Sequence, residues 1–197
     1  MIIAFGHRRR VGKDTATRLF VDALASKNIP ARQVSFAGSL KDVCADIFGW
    51  AGLQGPAHYE EHPAEKEEIL PALGLSPRRI WIDVGNKLRE VYEDVWIDLA
   101  LNQAAKEKTV IIISDLRYPN EVDKVHCAGG VVVKIVRDKA PISNDVADTA
   151  LADYGKWDMT IENNGTIDEF RQHLSPLVHI VEMLYGFSSP EEQLEEG

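Results

Sequence analysis

Apolar positions along the chain fall into two patterns, and they alternate. Ile2–Phe5 is a short apolar run that reads as a buried strand. Val110–Ser114 and Val131–Val136 read the same way, and the lack of polar alternation in the first suits a parallel strand covered on both faces. Gln33–Phe36 is expected to be a second strand and Met159–Ile161 a weak fifth. Between them, apolar residues recur at helical spacing. Phe20, Ala23 and Leu24 mark a helix over 13–27. Leu40, Val43, Cys44, Ile47 and Phe48 mark another, with Ser39 as its expected cap. Ile80, Val84, Leu88 and Val91 mark a third, and 96–106 a fourth. Pro119 opens a helix running towards Ala128. Thr166 and Glu169 form a capping-box pattern ahead of a long stripe from Ile167 to Leu184. Strands alternating with helices predict an α/β fold with a mostly parallel five-stranded sheet and right-handed crossovers.

Two stretches break the alternation. Gly49–Leu75 carries prolines and glycines, then an acidic helical run, and 138–156 has little apolar periodicity. Stretches this long in a compact domain are usually binding segments or lids. The expected organisation is therefore one domain over 1–187, with a lid or binding segment at each of the two breaks, followed by an acidic flexible tail at 188–197.

Composition narrows the class. The chain has 197 residues, 45% hydrophobic and 27% charged, which suits a globular protein and excludes collagen-like, disordered and disulfide-stapled classes. Two cysteines make no disulfide framework and no four-ligand zinc cluster. No apolar run approaches membrane-spanning length, and Met1 leads straight into the first strand, so a cytoplasmic location is the expectation. The net charge is −9, but it is divided. Residues 1–41 hold eight Lys/Arg against two Asp, a balance of +6, while 42–197 hold 14 against 29, a balance of −15. The acidic bulk opposes non-specific nucleic-acid or membrane binding, and the basic start points to a local anion site.

The residues at that start carry the chemistry. The first strand runs into Gly6-His7-Arg8-Arg9-Arg10-Val11-Gly12-Lys13-Asp14-Thr15 and then a helix. Glycines let backbone N–H groups curl towards phosphate oxygens, the helix N-terminus favours an anion, and Lys13 supplies a cation for the β- and γ-phosphates. Between the glycines stand five residues where four are usual, and Asp14 replaces the usual Ser or Thr. Of the three loop arginines Arg8, Arg9 and Arg10, one is expected to contact phosphate. A second signature, Ile111-Ile112-Ile113-Ser114-Asp115-Leu116-Arg117-Tyr118-Pro119-Asn120-Glu121, ends an apolar strand in a carboxylate at the sheet edge where ligands bind. Glu121 either orients Arg117 or merely faces solvent on its helix.

The Gly-Lys-Asp-Thr run and the Ser-Asp-Leu-Arg-Tyr-Pro-Asn-Glu run together resemble the phage-type deoxynucleoside monophosphate kinases of the P-loop nucleoside monophosphate kinase group. The first run is also similar to the Gly-Lys-Gly-Thr of adenylate kinases. Ser76 to Trp96 is similar to the family's acceptor-side helix, and Val132–Arg137 with Ile161–Thr166 to its lid and terminal strand, which implies an acceptor-binding insertion at 49–92 and a lid at 137–157. The resemblance implies a three-layer αβα P-loop fold. It implies transfer of the γ-phosphoryl group of ATP, with Mg2+, onto a deoxynucleoside 5′-monophosphate. It places Gly6, Arg10, Gly12, Lys13, Asp14 and Thr15 at the ATP phosphates, and Asp115 with Asp14 at the metal. Lys13, Arg117, Arg137 and Asp115 become the expected catalytic groups, and Arg78, Arg79 and Arg89 the expected acceptor ligands. Small-molecule nucleotides are then the expected partners, with neither nucleic acid nor membrane, and a homodimer is left open.

Trp81 and Trp96 fit core packing better than base stacking, and His58, Tyr59 and His62 lie in the acidic insertion as either pocket-lining or surface residues. Two rival readings remain. One is another P-loop small-molecule kinase, similar to dephospho-coenzyme A kinase or phosphomevalonate kinase. The other is a nucleotide-binding module without turnover, which Asp14 and the enlarged loop would favour.

Overall fold

The computed structural model describes residues 1–104, 109–141 and 149–187. The expected tail at 188–197 and part of the expected lid lie outside the described residues. The chain divides into two compact units: Met1–Gln33 with Glu107–Gly197, and Val34–Lys106.

The first unit is built on five strands, β1 (Ile2–Gly6), β2 (Ala31–Val34), β3 (Val110–Leu116), β4 (Val131–Val136) and β5 (Met159–Glu162), in the order β2-β3-β1-β4-β5. The pairs β1–β3, β1–β4 and β4–β5 are parallel. Among the described residues, three helices cover this sheet: α1 (Lys13–Ala25), α6 (Pro119–Cys127) and α7 (Ile167–Phe187). Alternation along the strands divides the side chains between two faces. Ile112 and Val110 of β3 and Val133 and Ile135 of β4 pack with Leu19, Phe20 and Leu24 of α1 and Phe170, Leu174 and Leu177 of α7. Phe5 and Phe20 meet edge to face at 5.8 Å, a geometry worth roughly 1 kcal/mol beyond the area buried. The intervening residues Ile111, Ile113 and Val132 point to the other face, where α6 buries Val122 and Val125. The result is a three-layer αβα sheet domain. Pro176 interrupts α7 and leaves the Gln172 carbonyl without its helical N–H, and the Ser175 hydroxyl donates to that carbonyl at 2.8 Å.

The second unit is helical: α2 (Phe36–Phe48), α3 (Pro56–Glu61), α4 (Pro77–Val91) and α5 (Val95–Ala104), with 3-10 turns at Gly49–Ala51 and Pro63–Glu67. Its core gathers Cys44, Leu53, Tyr59, Ile80 and Trp81. Trp96 is also buried, its indole N–H donating to the Gly85 carbonyl at 3.4 Å. A Cβ on Gly85 would come within 2.9 Å of Leu40, so the absence of a side chain there sets how closely α2 and α4 approach. Burial raises the Cys44 thiol to about 11, which keeps it an inert hydrophobe.

Element boundaries differ from expectation in one informative place. The second strand ends at Val34, and Phe36 opens α2. The cap is Ser35, whose hydroxyl accepts from Gly38 N at 2.8 Å, while Ser39 lies inside the helix. A serine four residues earlier captures the orphan amide first. Among the described residues, no helix is long and apolar enough to cross a membrane.

Candidate functional site

The order of the strands locates the site. From β1 the chain crosses towards β2 on one side of the sheet, and from β3 it crosses towards β4 on the other. Adjacent strands whose connections diverge leave a crevice at their carboxyl ends, where open α/β sheets bind ligands. The segments after β1 and β3 meet there. A cavity of about 570 Å3 is lined by Arg9, Arg10, Gly12, Lys13, Asp14, Thr15, Ser114, Asp115, Arg117 and Arg137. The structure thus brings together every predicted site residue of this unit except Gly6.

Gly6 belongs to β1, paired with Leu116 and Lys134. A Cβ there would sit 2.8 Å from the Trp157 ring, so the glycine is required by close packing and not by a turn. His7 then takes φ 104, the left-handed conformation that ordinarily calls for glycine. From His7, four residues lead to Gly12, which itself has φ 101. The loop therefore has the usual spacing with a histidine in the first glycine's place, and the apparent extra residue is the end of the strand. The imidazole occupies a built position. It is 9% exposed, its Nδ1 lies 3.1 Å from the Ile135 carbonyl, and its ring meets Trp157 edge on. A carbonyl only accepts, so Nδ1 carries the proton. Desolvation by burial lowers the His7 pKa to about 4.

Lys13 is buried, and its Nζ donates to the carbonyls of His7 (2.8 Å) and Arg8 (2.7 Å). The ammonium is therefore held inside the curl of the loop. The first helical bond of α1 runs from Ala16 N to Gly12 O, so the N–H groups of Lys13, Asp14 and Thr15 precede the helix ladder at the cavity wall. Arg8 turns away and reaches the Arg137 carbonyl at 3.4 Å, whereas Arg9 and Arg10 both line the cavity.

Asp115 is positioned by an irregularity. Ile2 pairs with Ile111 but Gly6 pairs with Leu116, so β3 carries one extra residue between Ile113 and Leu116. This bulge lets half-exposed Asp115 emerge between buried Ser114 and Leu116. Ser114 accepts from Gln33 of β2 at 2.8 Å. Glu121 is 1% exposed, and its carboxylate accepts from Arg117 N (2.8 Å) and Tyr118 N (3.1 Å). It fixes the backbone that carries Arg117 and does not face solvent. Arg137 is exposed at the end of β4.

Sequence reasoning passed over two further groups. Asn163 donates through Nδ2 to the Val11 carbonyl at 2.8 Å, while its own N–H bonds Val136 O. A Cβ on Gly12 would collide with that amide. Trp157 packs over Gly6 and His7, its indole N–H held by Tyr154 O at 2.8 Å. In the second unit, the expected acceptor ligands Arg78 and Arg79 are exposed on α4, Arg78 paired with Glu67 and Arg79 with Asp83 at 2.7 Å. Arg89 lies in the last turn of α4. Tyr59 is buried, its hydroxyl accepting from Gln54 N, and Trp81 and Trp96 are core residues.

The lining has five cationic side chains and two carboxylates. That is a site for a polyanion accompanied by a hard cation, since Asp14, Asp115, Thr15 and Ser114 are all oxygen donors. The donor set fits Mg2+ held with a triphosphate.

No protein-family profile matches the chain. The chain is similar to a protein of Acanthamoeba polyphaga mimivirus named "Putative deoxynucleotide monophosphate kinase", 28% identical over 181 residues, spanning 81% of this chain and 86% of that one. Among solved structures it is similar to shikimate kinase from Aquifex aeolicus (14% identity, 95% of this chain and 98% of that one, TM-score 0.47). It is also similar to a gluconokinase from Sinorhizobium meliloti (12% identity, 95% and 97%, TM-score 0.45) and dephospho-CoA kinase from Campylobacter jejuni (14% identity, 91% and 96%, TM-score 0.46). The phosphate-loop geometry at the switch point and the viral relative's printed name point to the same reaction class.

Proposed function

We propose that this chain is a P-loop kinase that transfers the γ-phosphoryl group of ATP to a deoxynucleoside 5′-monophosphate, with Mg2+ as the metal. The observation that carries the donor half is the convergence of Lys13, Asp115, Arg117 and Arg137 on one cavity at the carboxyl ends of β1, β3 and β4. The acceptor is supported by the viral relative's name and by the resemblance of the Ser76–Trp96 segment.

Phosphoryl transfer needs alignment and charge neutralisation more than covalent chemistry. In this reading Lys13 exchanges its two loop carbonyls for the β- and γ-phosphate oxygens. The N–H groups at the start of α1 hold the β-phosphate, and Thr15 contacts the α-phosphate. Arg117 and Arg137 face the transferring group, where guanidinium forks match phosphoryl oxygens. Arg117 needs little reorganisation because Glu121 already fixes its backbone. Asp115 and Asp14 would hold Mg2+ through water, and the ion would supply neutralisation of the phosphate charge. Arg78, Arg79 and Arg89 receive the acceptor monophosphate, after giving up carboxylate partners in the first two cases.

The test is ADP release from Mg-ATP with each of the common deoxynucleoside and ribonucleoside monophosphates, beside a Lys13→Ala control. Release that depends on a deoxynucleotide and vanishes in the control is the expected result. ATP turnover with shikimate-like, dephospho-coenzyme A-like or other acceptors only, or ATP binding without turnover, would replace this reading.

A further inference from the structure

The second unit holds a cluster that phosphoryl transfer does not use. His58 and His62 stand four residues apart, at one helical turn, and Glu65 follows on the 3-10 turn Pro63–Glu67. Potential ligand atoms of the three all lie within 4.8 Å of one another, and they form the one such trio of His, Cys, Asp or Glu side chains found among the described residues.

We propose that His58, His62 and Glu65 form a binding site for a borderline divalent cation of the zinc class, distinct in chemistry from the magnesium carboxylates of the phosphate loop. The backbone already shapes it. His62 N bonds His58 O at 2.9 Å and Glu65 N bonds His62 O at 3.2 Å, so the three side chains leave one folded turn. The imidazoles are stacked, centroids 4.6 Å apart and planes within 20°. His62 Nδ1 lies 3.1 Å from the His58 carbonyl, which makes that nitrogen the N–H and leaves Nε2 with its lone pair. A ring N–H tied to a carbonyl is the outer-shell arrangement of metal-bound histidines. His58 Nε2 lies 2.7 Å from the Glu65 carboxylate, and its ring stands edge on to buried Tyr59.

Binding takes the Nε2 lone pair of His58: the ring proton moves from Nε2 to Nδ1, so the imidazole stays neutral, and the two donor atoms open from 2.7 Å towards the roughly 3.4 Å that separates tetrahedral ligands about 2.1 Å from zinc. Two imidazole nitrogens and one carboxylate, with water in the fourth position, are a zinc-like set, and imidazole selects against Mg2+. Glu60, Glu61 and Glu68, which flank the trio in sequence, add negative charge that favours a dication.

The experiment is calorimetric titration of the full chain with ZnCl2 in buffer containing excess Mg2+, with the Co2+ visible spectrum as a geometric readout. His62→Gln and Glu65→Gln are run beside it, since both positions are partly or fully exposed and the variants keep the fold by circular dichroism. Cys127→Ser, which removes the exposed thiol, controls for binding elsewhere. The expected result is a single site that survives Mg2+ and Cys127→Ser, gives a tetrahedral Co2+ spectrum, and weakens at least about ten-fold in each of the two ligand variants. No zinc binding, binding that Mg2+ abolishes, or binding unchanged in both ligand variants would overturn it.

Discussion

The arginines of the two units are deployed in opposite ways. In the sheet unit, Arg9, Arg10, Arg117 and Arg137 line one cavity with Lys13, and the last two stand at the ends of β3 and β4, whose backbones are buried. In the helical unit, Arg78 and Arg79 lie on the exposed side of α4 and pair with the neighbouring carboxylates of Glu67 and Asp83. Exposed pairs of that kind contribute at most about 1 kcal/mol and are exchanged for water or ligand at little cost. Concentrating like charge at a sheet edge is unfavourable without an anion, so the packing beneath must hold it there. Buried Glu121, the β3 bulge and the Asn163 amide supply that hold. The contrast teaches that, on the proposed function, the ATP side is preorganised while the acceptor side is left adjustable.

The strongest way to break this contrast is Lys13→Ala. It should lower kcat for phosphoryl transfer by about 10³-fold or more, with the circular dichroism spectrum unchanged. Comparable turnover would remove the loop from the chemistry. Next comes the pair Arg117→Ala and Glu121→Gln. The first should cost about 10²–10³-fold in kcat. The second keeps the volume but weakens two buried charge-assisted bonds, so it should lower stability by about 1–3 kcal/mol and lower kcat while leaving the KM for ATP nearly unchanged. A Glu121→Gln enzyme with full kcat would mean that Arg117 needs no such support. Smaller again are Arg78→Ala and Arg79→Ala. Each should raise the acceptor KM by about ten-fold, leave the KM for ATP alone, and shift stability by less than about 1 kcal/mol. Changes confined to the KM for ATP would undo the division between the two units.

Much of this was legible in the sequence because its physics is local. Apolar runs set β1, β3 and β4, and Lys13, Asp115 and Arg117 follow from motif spacing at strand ends, whereas Arg137 came only with the family resemblance. Glycine counting failed for a physical reason. Gly6 and His7 exchange the roles that spacing suggests, since a left-handed histidine is tolerable only where a carbonyl and an indole ring hold its imidazole, and those partners come from Ile135 and Trp157. Asn163 was invisible in the same way, because its contact with Val11 spans 152 positions. Ser39 against Ser35 was decided by which hydroxyl met the first free amide, a difference that propensity does not resolve.

His7 also sharpens the comparison between units, because the histidines differ as the arginines do: His62 is exposed in its turn, whereas His7 is buried under the phosphate loop. Burial holds its pKa at about 4, against the ordinary value near 6.5 in an unfolded chain. Between those pH values the unfolded chain takes up a proton that the folded chain refuses, so stability falls as pH drops from 6.5 towards 4 and the loss is complete below 4. At pH 5 the loss from this one group amounts to up to about 2 kcal/mol, or roughly 4–8 °C in Tm for a chain of this size. His7→Gln removes that dependence while retaining a side-chain N–H for the Ile135 carbonyl. Melting wild type and variant at pH 7.5 and pH 5 should therefore show a larger acid-induced drop in the wild type, with kcat at pH 7.5 little changed. Equal drops would mean that His7 takes a proton in the folded loop, which would place it among the cations of the site.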